Sequence, residues 1–470
     1  MKALVWFRRD LRLHDNAALK AAQRATCCIP LYIDDSSIKS YPIGGAARWW
    51  LHHSLRALQI SLQAKGSDLL IQKGDSLKLL EQLIAKYNIT HLFWNRLYNP
   101  EEIARDTLIK KKFIEKGITV HSFAGNVIKE PWDITNKQNL PYKVFTAFFR
   151  AFRAETLLNA LPILKAPRTL PPCPVKISNK QLKSLELLPT HPNWANAFAE
   201  TWTPGEAHAQ QALKKFIKNS LQNYSTTRNI PSKIEGTSKL SPHLHWGELS
   251  IRATWQAIQD IDKNGTFLNE LGWREFAQHL LYYFPQLPFE PLQKKFLSFP
   301  WKKNNQYLKA WQQGLTGYPI VDAGMRQLWS IGWMPNRVRM IVGSFFVKDL
   351  NLPWVEGADW FWDTLVDADL GSNYMNWQWV TGCGVDAAPF FRIFNPITQG
   401  TKFDPEGIYV KTWVPELQNM PKKYIHNPWQ APKEILVTAE ITLGKDYPLP
   451  MVDHSRAREF ALQAFKNLGK

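Results

Sequence analysis

Continuous apolar runs separated by helical segments constrain the fold of residues 1–130 more than any other feature of the sequence. Ala3–Phe7 reads ALVWF, without a polar position, as expected of a strand buried on both faces of a parallel sheet. Similar runs follow at Cys28–Ile33, Asp68–Gln72, His91–Trp94 and Ile118–Phe123. Helical patterns separate these runs near residues 46–64, 76–87 and 100–116. This order predicts a doubly wound parallel sheet with helices on its faces.

The carboxyl ends of the predicted strands carry charged and polar residues, at 8–9, 34–35 and 94–96. Ligands of doubly wound sheets bind beyond these ends. A GxGxxG motif does not follow the first strand, so a standard dinucleotide site is not expected there. A small-molecule site and a set of solvated loop charges both fit this pattern.

The chain changes character after residue 130. Closely spaced prolines between residues 160 and 205 exclude long helices over most of that stretch, although short helices are expected at Tyr142–Leu158 and around Trp194–Phe198. Apolar residues then recur at helical spacing at Glu206–Leu221, Ile251–Ile261, Phe267–Phe284, Asn305–Gln313, Pro319–Trp329, Asn336–Asp349, Trp360–Asp367 and Ser455–Leu468. The sequence therefore predicts an α/β domain at 1–130, an interdomain linker at 131–205 and a larger all-α domain at 206–470.

The chain of 470 residues has a formal net charge of +18, from 58 basic and 40 acidic residues. This excess favours a polyanionic partner such as nucleic acid, although a soluble basic protein without such a partner shows the same balance. The four cysteines form neither a CxxC pair nor a zinc-like cluster, which fits a reducing, cytoplasmic setting without a structural metal. The amino terminus has too short an apolar run for a secretory signal, and no apolar stretch approaches a membrane span.

The stretch from Asp359 to Asn395 combines four tryptophans with five acids. Aromatic planes can flank a large flat ring and acids can bind its edges, so the stretch is typical of a cofactor pocket; a Trp-rich helical core is the alternative. Asp367 and Asp369 also have the spacing of metal ligands. A metal is nevertheless not expected, because the nearest further acids are too sparse for an oxygen cage.

Small hydroxyl residues with Gly and Lys lie just ahead of a predicted helix at 236–242, after a second hydroxyl-rich segment at 224–228. Backbone N–H groups, hydroxyls and a helix amino terminus together suit phosphate binding. The segment is not a Walker motif, and a capping turn is the alternative.

Two helical faces carry residues that are unusual in a protein core. Glu270, Trp273, Arg274 and Ala277 share one face, and a carboxyl group beside an indole suits recognition of a heterocycle. A surface ion pair between Glu270 and Arg274 would explain two of these residues but not the indole. On the second helix, Asn336, Arg339 and Met340 share a face beside Arg337, which suits phosphates and a flat apolar ligand.

Several specific motifs occur in one order along the chain: WFRRDLRLHDN at 6–16, GTSKLSPHL at 236–244, NELGWREF at 269–276, TGYPIVDAGMRQL at 316–328, GWMPNRVRM at 332–340, and DADLGSN, WQW and DAAPFFRIFNP within 367–396. With these motifs the chain resembles the DNA photolyase/cryptochrome family over essentially its full length, most closely the class I-type or plant-cryptochrome-related bacterial photolyases. The resemblance implies an α/β domain joined to a helical domain that holds FAD. It also implies light-driven repair of cyclobutane pyrimidine dimers by electron transfer from excited reduced FAD to the flipped-out dimer. The metal interpretation of Asp367 and Asp369 is then dropped.

Site residues follow from the resemblance by position. The expected cofactor-binding residues are Tyr224, Thr237, Ser238, Lys239, Leu240, Ser241, Phe267, Arg274, Asn336, Arg339, Asp367, Ala368, Asp369 and Asn373. Asn373 would face the flavin N5, and Glu270 would hydrogen-bond the dimer. Trp377, Trp354 and Trp301 would form an electron relay to the flavin. The expected contacts with DNA and the dimer are Arg228, Glu270, Trp273, Arg274, Asn336, Arg337, Met340, Arg392 and Gln399.

The chain departs from the family pattern at a few positions. Phe267 stands where the family often has Trp or another large residue, and Ala147 stands where Pro is usual. Residues 374–376 fill a loop that often has small residues. The Glu101-Glu102 pair stands where one subgroup uses Asn-Glu to bind folate, so a methenyltetrahydrofolate antenna, a deazaflavin antenna or none all stay open.

Other functions are weighed against repair. A cryptochrome-type photoreceptor without repair activity shares the fold and the relay, but Glu270, Trp273, Met340 and Asn373 together argue for repair. A lyase for (6-4) photoproducts would be expected to have a catalytic His in this pocket. A nucleic-acid binder without a cofactor does not explain the segments at 236–242 and 367–369. The expected protein is a monomer that acts on DNA containing pyrimidine dimers, without a metal or a membrane.

Overall fold

The computed structural model describes residues 1–158, 162–178 and 180–469. Residues 159–161 and 179 of the predicted linker, and residue 470, lie outside the described residues. Contacts divide the chain into two compact units. The first unit comprises Met1–Asn219, Ser238–Pro285 and Val366–Gly371, and the second comprises Ser220–Thr237, Gln286–Leu365 and Ser372–Lys470.

The first unit contains a five-stranded parallel sheet with the order β3-β2-β1-β4-β5. Its strands are β1 (Lys2–Phe7), β2 (Cys27–Asp35), β3 (Leu70–Gly74), β4 (His91–Asn95) and β5 (Thr119–Phe123). The predicted doubly wound sheet is therefore confirmed. The third strand begins two residues later than predicted, because Asp68 turns its carboxylate to the backbone N–H of Leu69 at 2.7 Å and to Gln59 Nε2 at 2.9 Å.

Helices separate the strands and cover the sheet. They are α1 (Ala17–Ala22), α2 (Gly45–Gln63), α3 (Ser76–Tyr87) and α4 (Pro100–Glu115). The side chain of Asn16 caps α1 by accepting the N–H of Leu19 at 3.0 Å. One core of this unit contains Trp6, Ile29, Leu31, Leu92 and Trp94, all at most 1% exposed. The inner strands β1, β2 and β4 are largely buried on both faces, as their apolar runs predict, whereas the edge strands β3 and β5 are partly exposed.

The first unit also contains helices from later in the chain: α5 (Phe145–Leu158), α6 (Lys180–Lys183), α7 (Asn196–Thr201), α8 (Glu206–Asn219), α10 (Ser241–His245), α11 (Ile251–Ile258) and α12 (Thr266–Tyr283). A glycine lets α5 and α12 approach closely. A Cβ on Gly272 would lie 2.3 Å from the ring of Phe149, so a larger residue would push the helices apart. Ala147 is the third residue of α5 and lies in its first turn, where the backbone N–H has no acceptor within the helix and a proline would also be tolerated.

The second unit is helical. Its helices are α9 (Tyr224–Thr227), α13 (Asn305–Gln313), α14 (Pro319–Ile331), α15 (Asn336–Ser344), α16 (Trp354–Thr364), α18 (Pro396–Phe403), α19 (Ile408–Trp413), α20 (Lys433–Thr438) and α21 (His454–Lys466), and the helix α17 (Leu370–Thr381) lies mostly in it. Short 3-10 turns lie in the first unit at Pro131–Asp133 and in the second unit at Leu221–Asn223, Ile234–Gly236, Lys294–Ser298, Pro415–Leu417, Pro428–Gln430 and Asn467–Gly469.

Three predictions for the helical part are wrong in detail. The helix predicted at Asn336–Asp349 is α-helical only to Ser344 and continues as a π-helix from Phe345 to Asp349. The helix predicted at Trp360–Asp367 begins at Trp354, after Pro353, and ends at Thr364, because Leu365 is extended. Residues 374–376 are not in a loop but within α17, where Tyr374 is fully buried and donates to Asp359 Oδ1 at 2.7 Å.

Candidate cofactor and nucleic-acid site

The segment from Ser238 to Ser241 has the backbone of an anion-binding turn. Lys239 lies in the left-handed region at φ 52°, and Leu240 follows in the right-handed region. Successive residues of opposite hand turn their N–H groups toward one point and form a nest for an anion. The side chain of Ser238 accepts the Leu240 N–H at 3.3 Å, which fixes the turn. Lys215 faces Lys239, and burial together with this like charge lowers the pKa of Lys239.

Asp367 and Asp369 lie beside this turn in the first unit. Ser241 Oγ donates to Asp367 Oδ2 at 2.6 Å, so the predicted phosphate segment and the Asp pair are brought together. Gln278 Nε2 donates to both oxygens of Asp369, at 3.0 and 3.1 Å. His245 Nδ1 lies 3.7 Å from Asp369 Oδ2, and Ala368 between the two acids is 3% exposed. The two carboxylates therefore have fixed orientations.

Glu270 and Trp273 lie on α12, partly exposed. The ring of Phe145 stacks on Trp273 with centroids 3.7 Å apart and planes 8° apart. Phe145 thus covers one face of the indole, and a ligand could stack only on the other face. Sequence reasoning missed Phe145 because it lies on another helix, α5.

Arg274 turns away from the predicted ligand face. Its Nη1 donates to the backbone oxygen of Asn126 at 2.9 Å and pairs with Glu275 Oε1 at 3.1 Å. Burial raises the pKa of Glu275 to about 7, against the opposing effect of Arg274 and of the Ile128 N–H, which Glu275 accepts at 2.7 Å. Among these contacts the ionic partner of Arg274 is its neighbour Glu275. The alternative considered for the sequence was a surface ion pair between Arg274 and Glu270. The cofactor and DNA roles of Arg274 stay a prediction.

Phe267 packs in the core of the first unit. It is 3% exposed and its ring centroid lies 4.6 Å from that of Phe216. The backbone N–H groups of Phe267 and Leu268 donate to Asp262 at 2.8 and 2.9 Å, which fixes the start of α12. A cofactor contact at Phe267 stays a prediction.

The second unit holds the hydroxyl-rich segment at 224–228. Tyr224 is 8% exposed, and the guanidinium of Arg228 lies 5.4 Å from its ring centroid. Thr237 follows the 3-10 turn of Ile234–Gly236 in an extended conformation. Tyr224 and Thr237 therefore lie on short, irregular elements, as expected of ligand-binding loops.

Helix α15 presents the second predicted face. Asn336 Nδ2 lies 4.0 Å from Met340 Sδ, so these two side chains share a face as predicted. Arg339 donates through Nε to the backbone oxygen of Met334 at 2.9 Å. Val338 and Ile341, on the opposite face, are at most 1% exposed. The helix is therefore amphipathic in the predicted sense.

Three arginines of the second unit lie close enough to influence one another. Burial lowers the pKa of Arg337, and Arg228 and Arg392 lower it further. Arg337 donates to Asn229 Oδ1 at 3.2 Å and lies 4.4 Å from the ring centroid of Phe403. Like charges held together repel one another unless an anion joins them, so the cluster is suited to phosphate. Gln399 lies nearby in sequence on α18, with a buried Oε1 that has no hydrogen-bond partner in the described part of the chain.

Asn373 and Trp377 are one turn apart on α17. Asn373 is 8% exposed and its Nδ2 donates to the backbone oxygen of Ala358 at 2.9 Å. This bond orients the amide, so that Oδ1 points away as an acceptor. Trp377 is 3% exposed and contacts the rings of Phe361 and Phe346, with centroids 5.1 and 5.7 Å away.

The other two predicted relay residues have different ring neighbours. Trp354, at the start of α16, is 3% exposed and lies edge-on to Tyr374 with centroids 6.3 Å apart. Trp301 is partly exposed and contacts Phe299 at 4.2 Å. All three indoles lie in the second unit, but their relay role stays a prediction.

The polar residues at the carboxyl ends of the strands form ion pairs rather than a solvated loop. Arg8 pairs with Asp106 at 2.9 Å, and Arg105 pairs with Asp35 at 2.9 Å. The guanidinium groups of Arg8 and Arg105 lie 4.5 and 4.7 Å from the ring centroid of Trp6. Glu101 and Glu102, at the expected folate position, are engaged too: Glu101 accepts Ser40 Oγ at 2.6 Å and Glu102 pairs with Arg9.

Gln278 and His245 belong to the site but were missed in the sequence. Gln278 could have been found, because Glu270, Arg274 and Gln278 follow one another at helical steps of four along α12. His245 gave no such signal. Gly357 was also missed: a Cβ there would lie 2.3 Å from the ring of Trp377, so the indole depends on this glycine.

Two searches bear on membranes and metals. No helix in residues 1–158, 162–178 and 180–469 is both long and apolar enough to cross a membrane. Within the same residues, no three His, Cys, Asp or Glu side chains lie together in a way that could hold a metal ion.

Comparison with known proteins identifies the family. Residues 3–171 match the family model described as DNA photolyase, and residues 267–467 match the FAD binding domain of DNA photolyase. The chain is 47% identical to a deoxyribodipyrimidine photo-lyase of Agrobacterium fabrum, over 99% of this chain and 98% of that protein. It is 39% identical to Cryptochrome-1 of Arabidopsis thaliana, over 97% of this chain but 69% of that protein.

A solved structure agrees. The crystal structure of a class III photolyase from Agrobacterium tumefaciens superposes with a TM-score of 0.94 at 46% identity, covering 100% of this chain and 98% of that one. The α/β part followed by a helical part, predicted from the sequence, is thereby confirmed. The chain belongs to the DNA photolyase/cryptochrome family.

Proposed function

We propose that this protein binds FAD and repairs cyclobutane pyrimidine dimers in DNA in a light-driven reaction. One observation carries the proposal: the chain matches a deoxyribodipyrimidine photo-lyase of Agrobacterium fabrum at 47% identity, over 99% of this chain and 98% of that protein. The Ser241–Asp367 and Gln278–Asp369 hydrogen bonds, which orient two carboxylates, agree with it. The activity would be that of a light-dependent carbon–carbon lyase.

The residues of the first unit fit FAD. The turn at Ser238–Ser241 offers backbone donors and Lys239 for the diphosphate, and Lys215 on α8 is close enough to lower the pKa of Lys239. Asp367 and Asp369 offer acceptors to hydroxyl and ring N–H groups. Gln278 and Ser241 hold these carboxylates, so the cofactor would meet acceptors that are already oriented.

In the second unit, Tyr224 and Thr237 are proposed to contact phosphate. Asn336 and Arg339 would contact the flavin end. Asn373 would contact the flavin N5 through Oδ1, because its Nδ2 is held by the backbone oxygen of Ala358. An acceptor there favours a protonated ring nitrogen and hence the reduced state.

Reduced FAD, when bound and excited by blue light, would lend the dimer the electron that splits its ring, and the electron would return to the flavin after splitting. The chain's own residues bind and orient the substrate. Trp273 would stack on the dimer with the face that Phe145 leaves uncovered. Glu270 would hydrogen-bond the polar edge of the dimer and stabilise the charge that it acquires, and Met340 would pack against it.

Binding of DNA would depend on the basic surface. Arg228 and Arg392 lie close enough to Arg337 to lower the pKa of its guanidinium, beyond the larger effect of burial, and this closeness favours the binding of a phosphate among them. Flipping a dimer out of the duplex costs a few kcal/mol, less for a lesion that already stacks poorly. The phosphate contacts would offset this cost. We expect the protein to act as a monomer in the cytoplasm without a metal. We also propose that the chain comprises an α/β domain at 1–130, a linker at 131–205 and a helical domain at 206–470.

A photoreceptor function is the second candidate, because the chain is also 39% identical to Cryptochrome-1 over 97% of its length. Such a protein would bind FAD and undergo photoreduction without repairing DNA. A second, light-harvesting chromophore is proposed in either case, with methenyltetrahydrofolate and a deazaflavin as the candidates. The absorption spectrum of chromophores released from the purified protein would distinguish the two.

Repair can be tested directly. The purified protein is reduced, mixed with an oligonucleotide that contains one thymine dimer, and exposed to blue light or kept dark. Thymine absorbance should recover only in the illuminated sample. If flavin is bound and photoreduced but absorbance does not recover, the repair function is wrong and the photoreceptor is favoured.

A further inference from the structure

The loop from Pro389 to Phe394 displays two side chains and buries two others. Phe391 is 68% exposed and Arg392 is exposed, whereas Phe390 and Phe394 are 4% and 8% exposed. Short backbone bonds from Arg392 to Pro389 and from Ile393 to Phe391 make the loop a tight turn. The aromatic cluster beneath it holds Phe390, whose ring stacks on Phe465 at 4.5 Å and 5°.

A buried lysine bonds this turn from below. Lys348 is 1% exposed and lies in the π-helix of Phe345–Asp349. Its Nζ donates to the backbone oxygen of Phe390 at 3.0 Å and lies 3.5 Å from that of Arg392. It also lies 4.6 Å from the ring centroid of Phe390. Thus one ammonium group contacts the backbone on both sides of Phe391.

The chemistry of Lys348 is unusual for a packing residue. Lysine is almost never fully buried without partners, because its charge loses hydration. Burial lowers the pKa of Lys348 to about 7, although Asp349 and Cys383 act in the opposite direction. An apolar side chain would fill the same space without this penalty but would leave the two carbonyl oxygens unbonded. π-Helical turns of this kind are frequent at functional sites.

We propose that Lys348 is a positioning residue for DNA binding, which holds the Pro389–Phe394 loop so that Arg392 is displayed toward the nucleic acid. This inference rests on the proposed function, since Arg392 is an expected DNA contact. Lys348 itself does not touch the DNA. It acts on the loop backbone, and the loop presents the cation.

The test compares Lys348→Met with the matched control Lys295→Met. Lys295 is exposed, and its Nζ lies 4.8 Å from the ring centroid of Phe465, the ring that stacks on Phe390. The bonds to the carbonyl oxygens of Phe390 and Arg392 described above come from Lys348 and not from Lys295. Both variants replace a lysine near the same aromatic cluster by methionine. We expect Lys348→Met to weaken binding of dimer-containing DNA about tenfold, or about 1.4 kcal/mol, and Lys295→Met less than twofold. At saturating DNA the repair rate of both variants should stay within twofold of wild type.

A double-mutant cycle shows whether Lys348 acts through the loop. In an Arg392→Ala background, Lys348→Met should weaken binding by less than a further twofold, because the displayed cation is already gone. Unchanged binding in the single variant, or the same tenfold loss in the Arg392→Ala background, would overturn the proposal. Lys348→Gln, which keeps an N–H donor, should restore at least threefold of the lost affinity.

Hydrogen exchange provides an arm that does not depend on DNA. Amides of residues 390–394 should exchange at least tenfold faster in Lys348→Met than in wild type or Lys295→Met. If Lys348→Met does not fold, Lys348→Gln is measured in its place, and its amides at residues 390–394 should exchange at least threefold faster than those of wild type. Exchange at the wild-type rate in whichever of the two variants folds would overturn the proposal. If the wild-type protein does not bind dimer-containing DNA, the proposed function is wrong. The role of Lys348 in DNA binding is then wrong as well, even if residues 390–394 exchange faster in Lys348→Met.

Discussion

Gly357→Ala is a small change with a large predicted effect, because the glycine lies against the indole of Trp377. A Cβ at residue 357 would lie 2.3, 2.6 and 2.9 Å from Cη2, Cζ3 and Cζ2 of that ring. Carbon atoms in good contact are about 3.5–4.0 Å apart. The ring would therefore have to retreat by roughly 1 Å, given this ordinary contact distance. Trp311, Phe346 and Phe361 contact the same ring and restrict this movement.

Two effects on the free energy of unfolding oppose each other. Replacing glycine by alanine inside a helix stabilises by about 0.5–1 kcal/mol. Overpacking a core costs about 1–3 kcal/mol. Because the indole is confined by aromatic rings, overpacking should win, and we expect a net loss of about 1–2 kcal/mol. Urea unfolding followed by far-ultraviolet circular dichroism measures this difference.

A second background makes the cause explicit. Trp377→Phe removes the ring atoms that the new Cβ would meet, so Gly357→Ala should be neutral or stabilising there. Equal destabilisation in both backgrounds would refute the packing argument, as would a more stable Gly357→Ala protein. Photoreduction of oxidised flavin should also slow in the Gly357→Ala protein, because the proposed relay residue is displaced.

Further outcomes follow from the site. Trp377→Phe should block photoreduction of oxidised flavin yet leave repair by pre-reduced protein nearly intact; equal loss of both would contradict the relay role. Glu270→Ala should bind flavin normally but repair with a reduced yield, measured per absorbed photon, and an unchanged yield would remove that role. Glu275→Gln tests the buried carboxyl group. Its pKa of about 7 lies above the ordinary 4.5, so the protonated form is favoured in the folded state and stability is lost as pH rises through 7. The free energy of unfolding of wild type, relative to Glu275→Gln, should fall by about 3 kcal/mol between pH 4.5 and 8; a flat difference would show that Glu275 does not titrate in this range.

The sheet was predictable because a strand that is buried on both faces appears in the sequence as a continuous apolar run. Ala3–Phe7 has no polar position, and the structure buries each of its residues completely. Helix α17 shows no such pattern, since it is buried almost all round and lacks an apolar stripe. The change to a π-helix after Ser344 was equally invisible, because apolar spacing does not distinguish the two helix types.

The site was predictable where its residues are neighbours in sequence. Glu270 and Trp273 share a helical face, and Asp367 and Asp369 are two apart, so their association needed no tertiary structure. Contacts between distant segments needed the fold. Phe145 on Trp273 joins residues more than a hundred positions apart, and Lys348 under the Pro389–Phe394 loop has no motif of its own. Arg274 pairs with Glu275 while it also donates to the backbone oxygen of Asn126, and the sequence does not show that Asn126 lies beside α12.

The division of the chain has a consequence for synthesis on the ribosome. The sheet is complete at Phe123, but its unit also requires Val366–Gly371, which carries Asp367 and Asp369. At about 5–20 residues per second, those acids emerge roughly 10–50 s after the last strand. Until those acids emerge, Ser241 has no Asp367 to bind, and the polar site that we assign to FAD is incomplete. Cofactor loading must therefore be a late event, and a nascent chain arrested before residue 366 should fold its sheet without retaining flavin.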